Sequence, residues 1–273
     1  MNKYGFIGLG DQGAPIAERM IQGGLPVALW ARRPETLEPF ADTSADVLTS
    51  IEAFAKAVGY VGICVVDDDG TKEVCERLIP RLAAGSYLVI HSTVSPELCK
   101  QLDRRAKARG IILVDAPVSG GSPAARRGAL TVMLGGPKAA VDALEPVLQT
   151  FASFIVHLGE VGAGQKAKLL NNAALAANIG IAHHCLRAAD ALDLDQQAFC
   201  RLINQSSGRS FGFEVRSKLN ELVQFQHGAD LLIKDLKLLR QALGEHPDFY
   251  KISEVSKAFL DSASPISGSV FHD

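Results

Sequence analysis

Two lysines and two asparagines stand where a proton could be handled. Lys166, Lys168, Asn171 and Asn172 open a run, Gly162 to Leu192, that holds no proline and is rich in Ala and Leu, both strong helix formers. On a helix Lys168 and Asn172, four residues apart, project from one face. An ammonium that gives a proton and an amide that orients a polar substrate would then share one space. Solvation is the commoner fate of a helical lysine, and spacing alone leaves that alternative open. A second group could hold a dinucleotide: Gly8, Gly10 and Gly13 form a G-x-G-x-x-G between an apolar run and a helix-like segment. The first two glycines allow a tight turn and close backbone approach to a pyrophosphate, and the third lets helix and strand pack closely. A third group follows Asp115 in DAPVSGG, where Ser119, Gly120 and Gly121 offer a hydroxyl and consecutive backbone N–H groups. Such a nest suits a carboxylate or another small anion; a glycine-rich turn without a ligand is the alternative.

The elements that must position these residues alternate along the first half. Lys3 to Ile7 reads as a strand, Ala14 to Gln22 as a helix with Pro15 in its first turn, and Pro26 to Trp30 as the next strand, completing a βαβ unit. Apolar runs at Val61 to Val66, Tyr87 to Ile90, Ile111 to Val114, Leu130 to Leu134 and Phe154 to Leu158 follow, with helix-like segments between them. This predicts a Rossmann-type, doubly wound, mostly parallel sheet over residues 1–161. From Gly162 the strand pattern stops. The long helix, ~45 Å if unbroken, is followed by helical segments at Asp195 to Gln205, Phe213 to Val223, Asp230 to Leu243 and Asp248 to Leu260. Residues 162–273 are therefore expected to form an all-helical domain that serves substrate binding and dimerisation.

Where the second strand ends, Trp30-Ala-Arg32-Arg33-Pro replaces the acidic residue that would bind the free ribose hydroxyl of NAD. Arginine accommodates the 2'-phosphate of NADP, so NADPH is expected to be preferred over NAD.

Composition narrows the partners. The 273 residues, 47% hydrophobic and 21% charged with a net charge of -2, suit a globular protein and recommend neither nucleic acid nor an anionic membrane. Five cysteines, at 64, 75, 99, 185 and 200, form no C-x-x-C pair, and the histidines show no metal-ligand spacing. No bound metal is expected. The start MNKYGFIGLG runs straight into a strand, and no stretch has eighteen unbroken apolar residues, so a cytoplasmic protein is expected.

DAPVSGGSPAARRGALTVMLGG closely resembles the substrate-binding signature of the β-hydroxyacid dehydrogenase family. GLGDQGAPIAERM is similar to that family's cofactor fingerprint, STVSP at 92–96 to its nicotinamide-side loop, GAGQKAKLLNN to its catalytic signature, and IKDLKLL at 233–239 to its C-terminal motif. The resemblance runs in order over nearly the whole chain. It implies that Lys168 is the catalytic acid/base and that Asn172 and Ser119 to Gly121 hold the substrate. It further implies a cofactor held by Gly8, Leu9, Gly10, Gln12, Gly13, Arg32, Arg33, Val66 and Thr93, with Lys234 and Asp235 closing the site from the helical domain. The family usually has Met where Gln12 stands and Asp where His91 stands. The chain reaches Phe271-His272-Asp273 roughly where the family begins its last helix.

The implied activity is reversible NADPH-dependent reduction of a small aldehyde or keto acid, of semialdehyde, glyoxylate or β-hydroxyacid type, by a homodimer or homotetramer. The implied substrate bears a carboxylate beside its carbonyl or hydroxyl. An imine reductase of the same architecture is one alternative, against which Lys168 within an intact signature speaks. A catalytically inactive dinucleotide-binding module is another; such relatives lose the lysine, which this chain keeps.

Overall fold

The structure, a computed structural model, describes residues 3–244 and 246–265. The C-terminal segment Phe271 to Asp273, singled out above, lies outside the described residues. The chain forms two compact units that part between Lys168 and Leu169.

The first unit runs β1 (Lys3–Ile7), α1 (Gly13–Gln22), β2 (Val27–Trp30), a 3-10 turn (Pro34–Phe40), β3 (Asp46–Val47), α2 (Ile51–Ala57) and β4 (Val58–Ile63). It continues with α3 (Asp68–Leu78), β5 (Tyr87–Ile90), α4 (Pro96–Lys107), β6 (Ile112–Asp115), β7 (Val118–Ser119), α5 (Gly121–Arg126), β8 (Leu130–Leu134), α6 (Lys138–Leu148) and β9 (Ala152–His157). Six strands make one parallel sheet in the order β3-β2-β1-β4-β5-β6. The order reverses between β1 and β4, and a crevice opens at the carboxyl ends of strands at such a switch point. Burial on both faces follows from the alternation of side chains along each strand. Phe6, Leu29, Tyr60 and Val89 point into one core, and their neighbours Ile7, Ala28, Val61 and Ile90 into the other.

Caps fix where the crossover helices begin. Ser50, Asp67 and Ser95 each accept a backbone N–H of the first turn of α2, α3 and α4, satisfying donors that the helix itself leaves open. The start of α1 differs: Gln12 occupies the cap position and makes no side-chain cap bond.

The helical unit contains most of α7 (Ala163–Ala191), then α8 (Gln196–Gln205), α9 (Phe211–Ser217), a 3-10 turn (Leu222–Phe225), α10 (Gln226–Leu243) and α11 (Pro247–Ala263). Its core joins Leu169, Ala173, Ala176 and Ile179 of α7 to Leu232, Ile233 and Leu236 of α10 and to Phe249 and Phe259 of α11.

Several boundaries differ from the sequence reading. The sheet is not one: β7, β8 and β9 form a separate three-stranded sheet, with β7 and β8 antiparallel and β8 and β9 parallel. An isolated antiparallel bridge, Asp115 to Gly135, joins the end of β6 to it. The strand expected over Val61 to Val66 lies at Val58–Ile63 instead, because it pairs with β1 from Lys3 onward. Residues 64–66 therefore belong to the loop that follows. The helix expected over Phe213 to Val223 ends at Ser217 and gives way to the 3-10 turn, and α10 starts four residues before Asp230.

Candidate active site

Three of the expected cofactor segments follow neighbouring strands: Gly8 to Gly13 after β1, Val66 after β4 and Thr93 after β5. The glycines divide into two kinds. A Cβ on Gly8, whose φ is +94°, would lie 2.1 Å from the Cys64 carbonyl oxygen, and one on Gly13 would lie 1.8 Å from the Gly8 carbonyl oxygen. Both are dictated by the packing of the chain on itself. A Cβ on Gly10 would meet nothing within 4 Å. Its bareness leaves open the space beside the start of α1.

Next to that space the Gln12 Nε2 is buried and has no hydrogen-bond partner. An orphaned buried donor has a free-energy cost. An oxygen-rich ligand at the start of α1 would satisfy it. The site therefore fits a dinucleotide. The side chain of Leu9, also expected at the cofactor, is buried in the core.

Arg32 and Arg33 are exposed at the end of β2. Arg33 pairs with Glu35 at 3.8 Å, and Arg32 pairs with Glu73 of α3 at 3.2 Å. A carboxylate does therefore stand at this strand end, supplied from 41 residues away rather than from the strand itself. Just below, the Arg77 guanidinium lies over the Trp30 ring, 5.1 Å from its centroid. Val66 is 74% exposed, and Thr93 is half-buried.

The residues expected on the substrate side follow β6. Ser119 ends β7, Gly120 is the cap of α5 with φ +123°, and Gly121 begins that helix with φ +67°. At the root of this segment the Asp115 carboxylate is fully buried. It accepts the Gly162 N–H at 2.6 Å on Oδ1 and the Gln165 N–H at 2.8 Å on Oδ2. Burial raises its carboxyl to about 6, with the backbone N–H groups of Gly162 and Gln165 opposing that rise. Asp115 thereby fastens the first turn of α7 to the end of β6, and Lys168 sits one turn further along. Lys168 is half-buried, whereas Lys166 is exposed, as expected of residues two apart on a helix.

In the helical unit Asn172, Lys234 and Asp235 form one cluster. The Asn172 Nδ2 donates to the Asp235 carboxylate at 2.5 Å, and Lys234 lies 3.4 Å from the other carboxylate oxygen. The Asn172 Oδ1 accepts from the Asn171 Nδ2 at 3.1 Å. Elsewhere in the helical unit a cavity of about 600 Å³ is lined by Asn204, Gln205, Arg209, Ser210, Phe211 and Glu214.

His91 has no part in this chemistry. It is fully enclosed between Phe6 and Phe151, with Nδ1 bonded to the Ala116 carbonyl and Nε2 to the Tyr60 hydroxyl. Burial lowers its pKa to about 4. It is a neutral core residue at neutral pH. Among the described residues no three His, Cys, Asp or Glu side chains gather as a metal site, and no helix is long and apolar enough to cross a membrane.

Sequence reasoning missed Glu73, Asp115 as an anchor, and Gln165. The last two lie within the quoted signatures, but nothing in their spacing says that they meet.

A parallel sheet with a bare glycine turn at its switch point, and a half-buried lysine on a helix fastened to that sheet, define a nicotinamide-dinucleotide-dependent oxidoreductase. Comparison with known proteins carries the assignment further. Residues 3–159 match the family model for the NAD binding domain of 6-phosphogluconate dehydrogenase. Residues 162–263 match that for the NAD-binding domain of NADP-dependent 3-hydroxyisobutyrate dehydrogenase. Among curated relatives, mitochondrial 3-hydroxyisobutyrate dehydrogenase of Pongo abelii is 30% identical over 250 residues, covering 87% of this chain and 74% of the relative. An uncharacterized oxidoreductase of Mycobacterium tuberculosis is 34% identical over 215 residues, covering 77% of this chain and 72% of the relative. The chain belongs to the β-hydroxyacid dehydrogenase family. Two solved structures share its fold. Mycobacterium tuberculosis 3-hydroxyisobutyrate dehydrogenase with L-serine has a TM-score of 0.85 at 24% identity, covering 96% of this chain and 94% of that one. Psf3 in complex with NADP+ and 2-OPP has a TM-score of 0.80 at 24% identity, covering 94% and 92%.

Proposed function

We propose that the protein reduces a small carboxylate-bearing aldehyde or keto acid to the hydroxy acid, reversibly, with NADPH preferred over NADH. In this reading residues 1–161 bind the cofactor, and residues 162–273 serve substrate binding and association into a homodimer or homotetramer. The observation that carries it is the contrast between half-buried Lys168, one turn beyond the Asp115 anchor, and exposed Lys166. A lysine withdrawn from water is the one suited to proton transfer.

A bound dinucleotide would supply the hydride that the carbonyl carbon needs. Lys168 gives its proton to the carbonyl oxygen as that oxygen becomes an alcohol, and takes it back in the reverse direction. Ser119, Gly120 and Gly121 hold the substrate carboxylate through a hydroxyl and backbone N–H groups. Asn172 orients the polar end of the substrate, and its bond to Asp235 fixes its own rotamer. Gly8, Leu9, Gly10, Gln12 and Gly13 hold the pyrophosphate, Arg32 and Arg33 the 2'-phosphate, and Val66, Thr93, Lys234 and Asp235 the remaining cofactor contacts. The names of the relatives, 3-hydroxyisobutyrate dehydrogenase above all, support the substrate class. The solved NADP+ complex of a structural neighbour supports the cofactor.

The test is a panel of short aldehydes and keto acids, glyoxylate and succinic semialdehyde among them, followed by NADPH absorbance. Lys168→Ala is expected to lower kcat by roughly 100-fold or more with NADPH affinity almost unchanged, the amount general acid catalysis supplies. Lys166→Ala is expected to be much milder. If the two variants behave alike, or cofactor affinity falls in step with rate, Lys168 is not the acid.

A further inference from the structure

Gln165 is fully buried on the first turn of α7, and all of its polar atoms except its carbonyl have partners outside the helix. Its Nε2 donates to the Ser92 carbonyl oxygen at 2.8 Å, and its Oε1 accepts the Val94 N–H at 3.1 Å. One carboxamide thus grips the residues on both sides of Thr93. Its backbone N–H meanwhile donates to Asp115 Oδ2 at 2.8 Å. The Ser92 Oγ in turn accepts the Val65 N–H at 2.8 Å, tying in the loop after β4. Four segments converge on this residue: the loops after β4 and β5, the end of β6 that leads to Ser119, and the helix that carries Lys168.

The bracket needs one donor and one acceptor at the end of a side chain of this length. A carboxamide provides both, and a carboxyl group provides both only while protonated. Asparagine, one methylene shorter, would not span the same gap.

We propose that Gln165 is a positioning residue whose carboxamide sets the spacing between the Thr93 loop and the turn of α7 that bears Lys168. The proposal rests on the roles given above to Thr93 and Lys168; the grip on the loop itself does not.

Gln165→Glu and Gln165→Met test it, because both keep the reach of the side chain. Above neutral pH the introduced carboxylate can accept the Val94 N–H but faces the Ser92 carbonyl oxygen without a proton to give, and Asp115 lies close by. Both variants are then expected to lose kcat by roughly tenfold or more with little change in KM, since small misplacements of reacting groups are costly. Acidification should protonate the buried carboxyl, whose pKa burial and Asp115 both raise. The Gln165→Glu variant is then expected to regain kcat relative to the wild type as pH falls, while Gln165→Met does not.

Amide hydrogen exchange over residues 92–94 gives a readout independent of turnover. It should be faster than in the wild type for both variants at high pH, and return toward the wild-type ratio at low pH for Gln165→Glu alone. NADPH binding reports that each variant is folded, and if Gln165→Met does not fold the pH series of Gln165→Glu decides alone. Unchanged exchange, unchanged kcat, or a pH response shared by both variants overturns the proposal. If Lys168→Ala keeps its rate, the proposal falls with the reading of Lys168, and the exchange data tell that failure from a failure of the bracket.

Discussion

Arg32 has two claimants. In the proposed complex it meets the 2'-phosphate of NADPH, and in the structure it is paired with Glu73 across an exposed gap of 3.2 Å. Charge-assisted bonds from arginine to phosphate favour NADPH over NADH by roughly one to a few kcal/mol. A carboxylate sharing the same guanidinium works against that, by no more than about 1 kcal/mol for so exposed a pair. Fluorescence titration should therefore show NADPH bound more tightly than NADH by the wild type, a preference lost in Arg32→Ala and widened about twofold to fivefold in Glu73→Gln. Equal affinities in the wild type would remove the cofactor assignment; a preference that Glu73→Gln leaves unaltered would remove only the role of Glu73. The contrast also shows what a sequence can convey at this scale. Gly8, Gly10, Gly13, Lys168 and the Ser119 to Gly121 nest sit in fixed local spacings that carry their own geometry. Glu73 stands beside Arg32 only because α3 packs beside the end of β2, and Gln165 meets Ser92 only because α7 begins against β6.

Elements with a long, clean period were legible, and short or two-faced ones were not. The parallel strands alternate with helices at the spacing a crossover demands, so five strands of the six-stranded sheet could be anticipated, and only the two-residue β3 was missed. Strand β7 is two residues long, too short for any period, and it alone makes the second sheet antiparallel in part. The early end of α9 was missed because Lys218 to Glu221 still reads as helical by composition. The start of α7 is specified by steric fit instead. A Cβ on Gly164 would lie 2.4 Å from the Met133 carbonyl oxygen and 2.9 Å from Asp115 Oδ2, so the helix reaches β8 and Asp115 only because that position is bare. Gly164→Ala is expected to destabilise the protein by about 1–3 kcal/mol through overpacking, read as a lower midpoint in thermal unfolding. It should also lower kcat, because Lys168 is carried on the displaced turn. A variant as stable and as active as the wild type would show that the first turn can shift without consequence.

For the molecule as a whole, exposed apolar side chains gather in the helical unit. Leu192, Leu202, Phe211 and Val223 are between 58% and 70% exposed. A unit of this size buries a modest core, and large apolar side chains left at its surface call for cover. We therefore expect a homo-oligomer, at least a dimer, and light scattering at micromolar concentration should return a mass at least twice that of the chain; a monomer would count against it. The parting of the two units between Lys168 and Leu169, inside an unbroken α7, bears on how the chain is made. Domains emerge from the ribosome amino end first and close as units. Here the first unit cannot complete itself at the end of its last strand, because the Asp115 carboxylate and the Thr93 loop wait for Gly162 and Gln165. Nascent chains paused at Gly159 and at Lys168 thus differ by only a few residues of length, yet only the second holds every group its buried carboxylate requires. The order of synthesis therefore puts Lys168, the proposed proton donor, among the last pieces of the sheet domain to arrive.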